Sequence, residues 1–132
     1  MTTKKIERLI DANINRLKEA LRLEEDIQRY IFDNKELALS FKELRHSVKN
    51  FYEINRLKYR DIINDVSKTS TKSELKRDSL KDLVIANFSR AQESSRVLEE
   101  AFKLIDTKKS ALAKDIRYKL YDLEKEVLKG FM

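Results

Sequence analysis

The chain has no cysteine, no proline, no tryptophan and a single glycine, Gly130, among its 132 residues. Without cysteine there is no disulfide, no thiolate nucleophile and no cysteine metal site, and the cytoplasm is the default compartment. One glycine cannot build a GxxxxGK[ST] or GxGxxG phosphate loop. With neither proline nor spare glycine for tight turns, periodic apolar residues read as a few long helices. His46 is the only histidine. No HExxH, no Ser-His-Asp set and no helical ExxH can be assembled, which excludes zincin, triad and di-iron readings. No apolar run approaches the roughly 20 residues that cross a bilayer, so no membrane partner is expected. The opening MTTKKIERLIDAN alternates charge with apolar residues at helical spacing, unlike a signal peptide.

What is present is 41% hydrophobic and 39% charged residues with a formal net charge of +6. That balance fits one soluble domain over 1–132 with a real core. It favours anionic partners without choosing among phosphorylated small molecules, nucleic acid and acidic lipid. Acidic residues interrupt nearly every basic run, so a nucleic-acid-binding bundle is the weaker reading.

Four helices follow from the periodicity. The first is predicted from about Lys4 to Phe32, with Ile6, Leu9, Ile10, Ile14, Leu17, Leu21, Ile27 and Ile31 inward. Asp33 or Asn34 can cap the second, with Glu36 completing a capping box after Asp33. This helix carries Leu37, Phe41, Leu44, Val48, Phe51, Ile54 and Leu57 and is predicted to end near Ile62. The polar run Asp65–Ser73 reads as a loop. Ser73 or Ser79 caps the third helix, whose core side is Leu83, Val84, Phe88, Ala91, Leu98, Phe102 and Ile105. Asp106 and Thr107 break the chain before a fourth helix over about Ser110 to Lys129. The expected fold is all-α, an antiparallel four-helix bundle.

The chain also repeats itself. ANINRLKEALRLEED, Ala12 to Asp26, and ANFSRAQESSRVLEE, Ala86 to Glu100, share Asn, Arg, Glu, Arg and Glu at three-residue intervals. Asn13, Arg16, Glu19, Arg22 and Glu25 recur 74 residues on as Asn87, Arg90, Glu93, Arg96 and Glu99. A weaker echo relates the stretch around Arg45 to that around Arg117. The repeating unit is therefore a helical hairpin, roughly 4–62 and 74–129, and two units suggest pseudo-twofold packing.

At roughly 100° per residue, Asn13 falls inside the apolar stripe, Arg16 on its edge and Glu19 just beyond. Alanine or serine stands one turn to either side of each first arginine (Ala12 and Ala20, Ala86 and Ser94). Small neighbours leave room for a ligand phosphate or for another helix. For Arg22, Glu25, Arg96 and Glu99 ordinary helix-surface pairing explains the spacing as well as function does. For Asn13, Asn87, Arg16 and Arg90 it explains less, because an amide in an apolar seam loses stability unless its hydrogen bonds are met. A polar register device between helices is the structural alternative.

IDANINRLKEALRLEEDIQRY, the LRH at Arg45-His46, Arg60-Asp61 with Asp65-Val66, the second motif copy and IRYKLYDLEK together carry a resemblance that runs nearly end to end. The chain resembles the small helical domain found alone or fused ahead of thiamine-phosphate synthase. Standalone members are hydroxymethylpyrimidine-phosphate kinases, which make the diphosphate from ATP. The resemblance implies ATP and Mg²⁺ as cofactors, and a phosphorylated pyrimidine and a nucleotide as ligands. Arg16 and Arg90 would take phosphates, with Arg22, Arg96, Arg45 and Arg117 in support. Asn13 or Asn87 would meet the pyrimidine edge or a phosphate oxygen. Glu19, Glu93, Asp65 and His46 are the candidate catalytic groups, and Glu25 and Glu99 the candidate Mg²⁺ ligands. The chain departs from the family pattern in Arg22-Leu23-Glu24-Glu25, where R-V-L-E is usual, and at Ser67, where glycine is usual. The competing reading is a non-catalytic module that works with thiamine-phosphate synthase; a homodimer is left open.

Overall fold

The structure, a computed structural model, describes residues 3–71 and 75–132. It is all-α. Helix α1 spans Thr3–Asp26 and widens into a π turn over Ile27–Ile31; α2 is Lys35–Val48, α3 Leu80–Phe102 and α4 Thr107–Lys129. None of these is long and apolar enough to cross a membrane.

The starts of α2, α3 and α4 each have a side-chain cap. The Asn34 side chain accepts from the Leu37 amide, Ser79 from that of Asp82, and Asp106 from those of Lys108 and Lys109. Asn34, not Asp33, thus caps α2, while Ser73 lies outside the described residues. Asp33 does a different job. It is the sole described non-glycine residue with positive φ, at 51°, and turns the chain where a glycine would ordinarily stand. Ser67 needs no such angle.

Helix α2 ends fourteen residues before the expected Ile62, at Val48. The chain then tightens into a 3₁₀ turn, Lys49–Phe51, runs extended, and forms a second 3₁₀ segment, Ile54–Tyr59. Packing overrides periodicity here. Phe51 is fully buried, its ring 5.3 Å from Phe102 and nearly parallel to it. The buried Arg56 guanidinium donates to the Phe51 carbonyl at 2.6 Å and pairs with Glu7, and Ile54 is left exposed. Leu9, Ile31 and Ile105, all expected inward, are also substantially exposed.

Ring contacts give the topology. Phe41 meets Phe88 and Phe51 meets Phe102, so α2 and α3 run the same way, joined by a long crossover. Phe32 meets Phe131 at the other end of the molecule, which sets α1 and α4 side by side in direction. Each hairpin is antiparallel, and α1 packs antiparallel on α3 at the centre, with α2 and α4 flanking and scarcely touching. The core is Ile10, Leu17, Leu21, Phe41, Phe88, Leu98, Phe102, Ile116 and Leu120, all at or near zero exposure.

Candidate phosphate-binding site

The repeated asparagines lie on the apolar side of their helices, and each meets the cost of that position locally. Asn13 Nδ2 donates to the Leu9 carbonyl and Asn87 Nδ2 to that of Leu83, both at 2.9 Å. The first arginines do the opposite. Arg16 and Arg90 are exposed, and among the described residues neither has an ion-pair partner. Both line one cleft of about 510 Å³ between α1 and α3, with Asn13, Glu93, Ser67 and Arg77.

The pseudo-twofold explains why these two meet and the next two do not. When two equivalent helices cross antiparallel, only positions near the axis face their own copies. Arg16 and Arg90 sit near that axis. Arg22 and Arg96 are carried outward, Arg22 to Asp26 at 3.4 Å and Arg96 to Glu99 and Glu100 at 3.7 and 3.2 Å.

Glu25 and Glu99 form a second matched set inside the hairpins. Arg45 Nε donates to Glu25 at 2.9 Å and Arg117 Nη2 to Glu99 at 2.8 Å, both carboxylates being nearly buried. The hydrogen bonds that the Arg117 guanidinium donates to Glu99 and then to Tyr121 hold it in its charged form despite desolvation. Its face lies over Tyr118 and Tyr121. Arg45, Arg22 and Glu25 border a separate cleft of about 530 Å³ at the start of α2. Among the described residues no group of three or more His, Asp or Glu is placed to hold a metal ion.

A neighbouring cleft of about 480 Å³ lies under the middle of the crossover, lined by Leu9, Arg8, Asp65, Ile62 and again Asn13 and Arg16. Its wall is tied to α1. Arg8 donates to the Asp61 carbonyl at 2.7 Å, and Arg60 makes a two-pronged pair with Asp11 at 2.7 and 2.8 Å. Asn64, through its side chain and then its backbone, holds the Asp61 carboxyl below its usual value. Asp65 accepts from the Ser67 amide and so shapes the same loop. Glu19 and His46 are exposed and line neither cleft. Desolvation, then Lys49, Arg45 and Lys42, hold His46 below its ordinary value.

Sequence reasoning missed Arg77, Ser67 and Ser89 in the central cleft and the Asp11–Arg60 and Glu7–Arg56 pairs. All but Ser89 involve the irregular crossover, where no helical period marks which residue turns inward. It also missed Glu24. This residue is 1% exposed, both carboxylate oxygens lack a partner, and its mate 74 residues on is the buried Leu98. Burial first, and then the Glu124 carboxylate, push its carboxyl up to about 9.

Fold and site together define a helical bundle with a basic cleft on its internal twofold. The chain belongs to the ThiD2 family, whose model matches residues 8–126. It is 39% identical over 124 residues to the thiamine-phosphate synthase of Synechocystis sp., covering 93% of this chain and 36% of that protein. Similar relatives are the thiamine-phosphate synthases of Prochlorococcus marinus subsp. pastoris, 34% identical over 125 residues (94% and 36%), and Parasynechococcus marenigrum, 37% over 121 residues (91% and 35%). The chain thus spans about a third of the length of these curated relatives. No solved structure matches it.

Proposed function

We propose that the chain phosphorylates hydroxymethylpyrimidine phosphate to the diphosphate from ATP, as a step of thiamine biosynthesis in the cytoplasm. One observation carries this reading: Asn13 and Arg16 line two adjacent clefts at once, so two phosphorylated ligands can meet across a shared amide and guanidinium. The resemblance to standalone kinases of this substrate supplies the chemistry.

That chemistry fits the residues present. The acceptor is itself a phosphate, whose second pKa of about 6 leaves it largely dianionic at neutral pH. An acceptor oxygen forms the new bond to the γ-phosphorus; the bond to the β,γ-bridging oxygen breaks, and ADP leaves with that electron pair. No proton has to be removed from the nucleophile, so a poised histidine or carboxylate base is not required. The obstacle is repulsion between two polyanions. Arg16, Arg90 and Arg77 supply positive charge where they approach, and a guanidinium grips phosphate oxygens in pairs. Asn13 offers the cleft an amide anchored to its own helix, so orientation is fixed before binding.

Mg²⁺ is compatible with this set. It takes oxygen ligands, keeps several waters and needs one or two carboxylates besides the phosphates. Glu93 in the central cleft would hold it, with Asp65 beside the neighbouring one, whereas Glu25 and Glu99 are already paired with arginine. When bound with the nucleotide it neutralises phosphate charge.

The test is turnover of hydroxymethylpyrimidine phosphate by the purified chain with ATP and Mg²⁺. Arg16→Ala and Arg90→Ala should each lower kcat/KM about a hundredfold or more. Both side chains are exposed, so melting temperature should move by only about 1–2 °C. Absence of diphosphate product at high enzyme concentration refutes the kinase; full turnover by both variants refutes the arginine cleft as its site. The counterpart of this chain forms part of longer thiamine-phosphate synthases, and that favours one second reading: a non-catalytic domain that hands a pyrimidine to such an enzyme. It predicts ligand binding without turnover.

A further inference from the structure

The two clefts that share Asn13 and Arg16 differ in chemistry. The one between α1 and α3 is walled by arginines, serines, Asn13 and Glu93, with Ala86 and Val97 its only apolar lining among the described residues. The one under the crossover sets Leu9, Ile62 and Val66 beside Arg8, Lys5 and the amide of Asn15. Those three apolar side chains are 47%, 72% and 100% exposed. Single exposed apolar residues are ordinary on a protein surface. Three on one cleft wall, next to Lys5, Arg8, Arg16 and Arg60 and the carboxylates Asp11, Asp61 and Asp65, form an apolar surface with a charged rim.

The wall is built rather than incidental. The Arg8 contact to the Asp61 carbonyl and the Arg60–Asp11 pair fasten the entry to the turn to α1. Asn64 closes the turn by donating its backbone and side-chain N–H groups to the Asp61 carboxylate at 3.0 and 2.8 Å. Ile62 and Val66 are therefore presented toward the cleft by a segment pinned at its root.

The geometry points to a division of ligands that resolves the site's twofold likeness. The cleft under the crossover takes the planar heteroaromatic monophosphate, its ring covering Leu9, Ile62 and Val66 and its phosphate directed to Arg16. The cleft between α1 and α3 takes the nucleotide's phosphate chain on Arg90 and Arg77. Ile62 and Val66 are then specificity residues for the acceptor, and Arg16 stands where the two ligands meet. This rests on the kinase reading for the identity of the ligands but not for the difference between the clefts. A chain of phosphates has no apolar surface to bury, and a methylated pyrimidine ring does.

The experiment is steady-state kinetics of the full chain with ATP, Mg²⁺ and hydroxymethylpyrimidine phosphate. The double variant Ile62→Ser with Val66→Ser replaces exposed side chains and should fold. Its KM for the pyrimidine phosphate should rise about tenfold, with KM for ATP within about twofold of the parent. Arg90→Gln should show the converse. An unchanged pyrimidine KM in the double variant, or a raised KM for ATP instead, overturns the assignment while the kinase stands. If the parent chain shows no turnover, the kinase falls, and calorimetry with hydroxymethylpyrimidine phosphate alone decides the cleft. About tenfold weaker binding by the double variant upholds it; equal binding, or no binding by the parent, overturns it.

Discussion

Replacing Glu24 by leucine should stabilise this protein, and by an amount that grows with pH. The carboxyl is buried without a hydrogen-bond partner and titrates at about 9, against an ordinary 4.5. A folded-state value raised in this way favours the fold below the unfolded value and loses that advantage as pH rises. Between pH 4.5 and about 9 the unfolded chain releases a proton that the folded chain keeps, and stability falls by about 1.4 kcal/mol per pH unit. From 4.5 to 7 that amounts to about 3 kcal/mol, a large part of the roughly 5–15 kcal/mol that holds a domain together. Leucine removes the titration and follows the internal repeat, since Leu98 occupies the matching position at zero exposure. Urea denaturation followed by circular dichroism at pH 5, 7 and 8.5 measures it. The variant's advantage should widen by about 1.4 kcal/mol for each unit. An advantage that stays flat over that range refutes the reasoning, because it would mean that Glu24 ionises in the folded state much as it does in the unfolded one.

Arg117→Gln and Arg45→Gln should each destabilise the fold by leaving a nearly buried glutamate uncompensated, on the order of 3 kcal/mol by thermal or urea unfolding, with Arg117 the costlier because it also stacks on two tyrosines. Asp33→Gly should raise stability by about 0.5–1 kcal/mol in the same assay, since glycine adopts the 51° φ without the strain a side chain carries.

The internal repeat is the most informative feature of the sequence, and its legibility has a limit set by geometry. Spacing placed Asn13 on the apolar stripe and Arg16 at its edge, because helical angle alone decides those positions. It also set Arg16 apart from Arg22, whose spacing ordinary helix-surface pairing explains, but did not show where either residue lies relative to the second hairpin. Distance from the pseudo-twofold separates them: near it, Arg16 and Arg90 share a cleft; away from it, Arg22 and Arg96 close local ion pairs. Glu25 and Glu99 read in sequence as surface-pair partners or Mg²⁺ ligands and are the buried acceptors for Arg45 and Arg117 in the fold.

The sequence by itself determined the four helices, a choice of two capping residues for each of α2 and α3, the doubled hairpin and most of the core, since all of these follow from short-range patterns along one chain. Only the tertiary structure decided that α2 stops at Val48, that Phe51 and Arg56 turn inward from an irregular segment, and that the crossover supplies a wall to the site. Those outcomes depend on contacts between residues some fifty positions apart, such as Phe51 with Phe102 and Arg56 with Glu7. A local pattern carries no record of a partner that distant, so the physical cause appears only when the helices are packed.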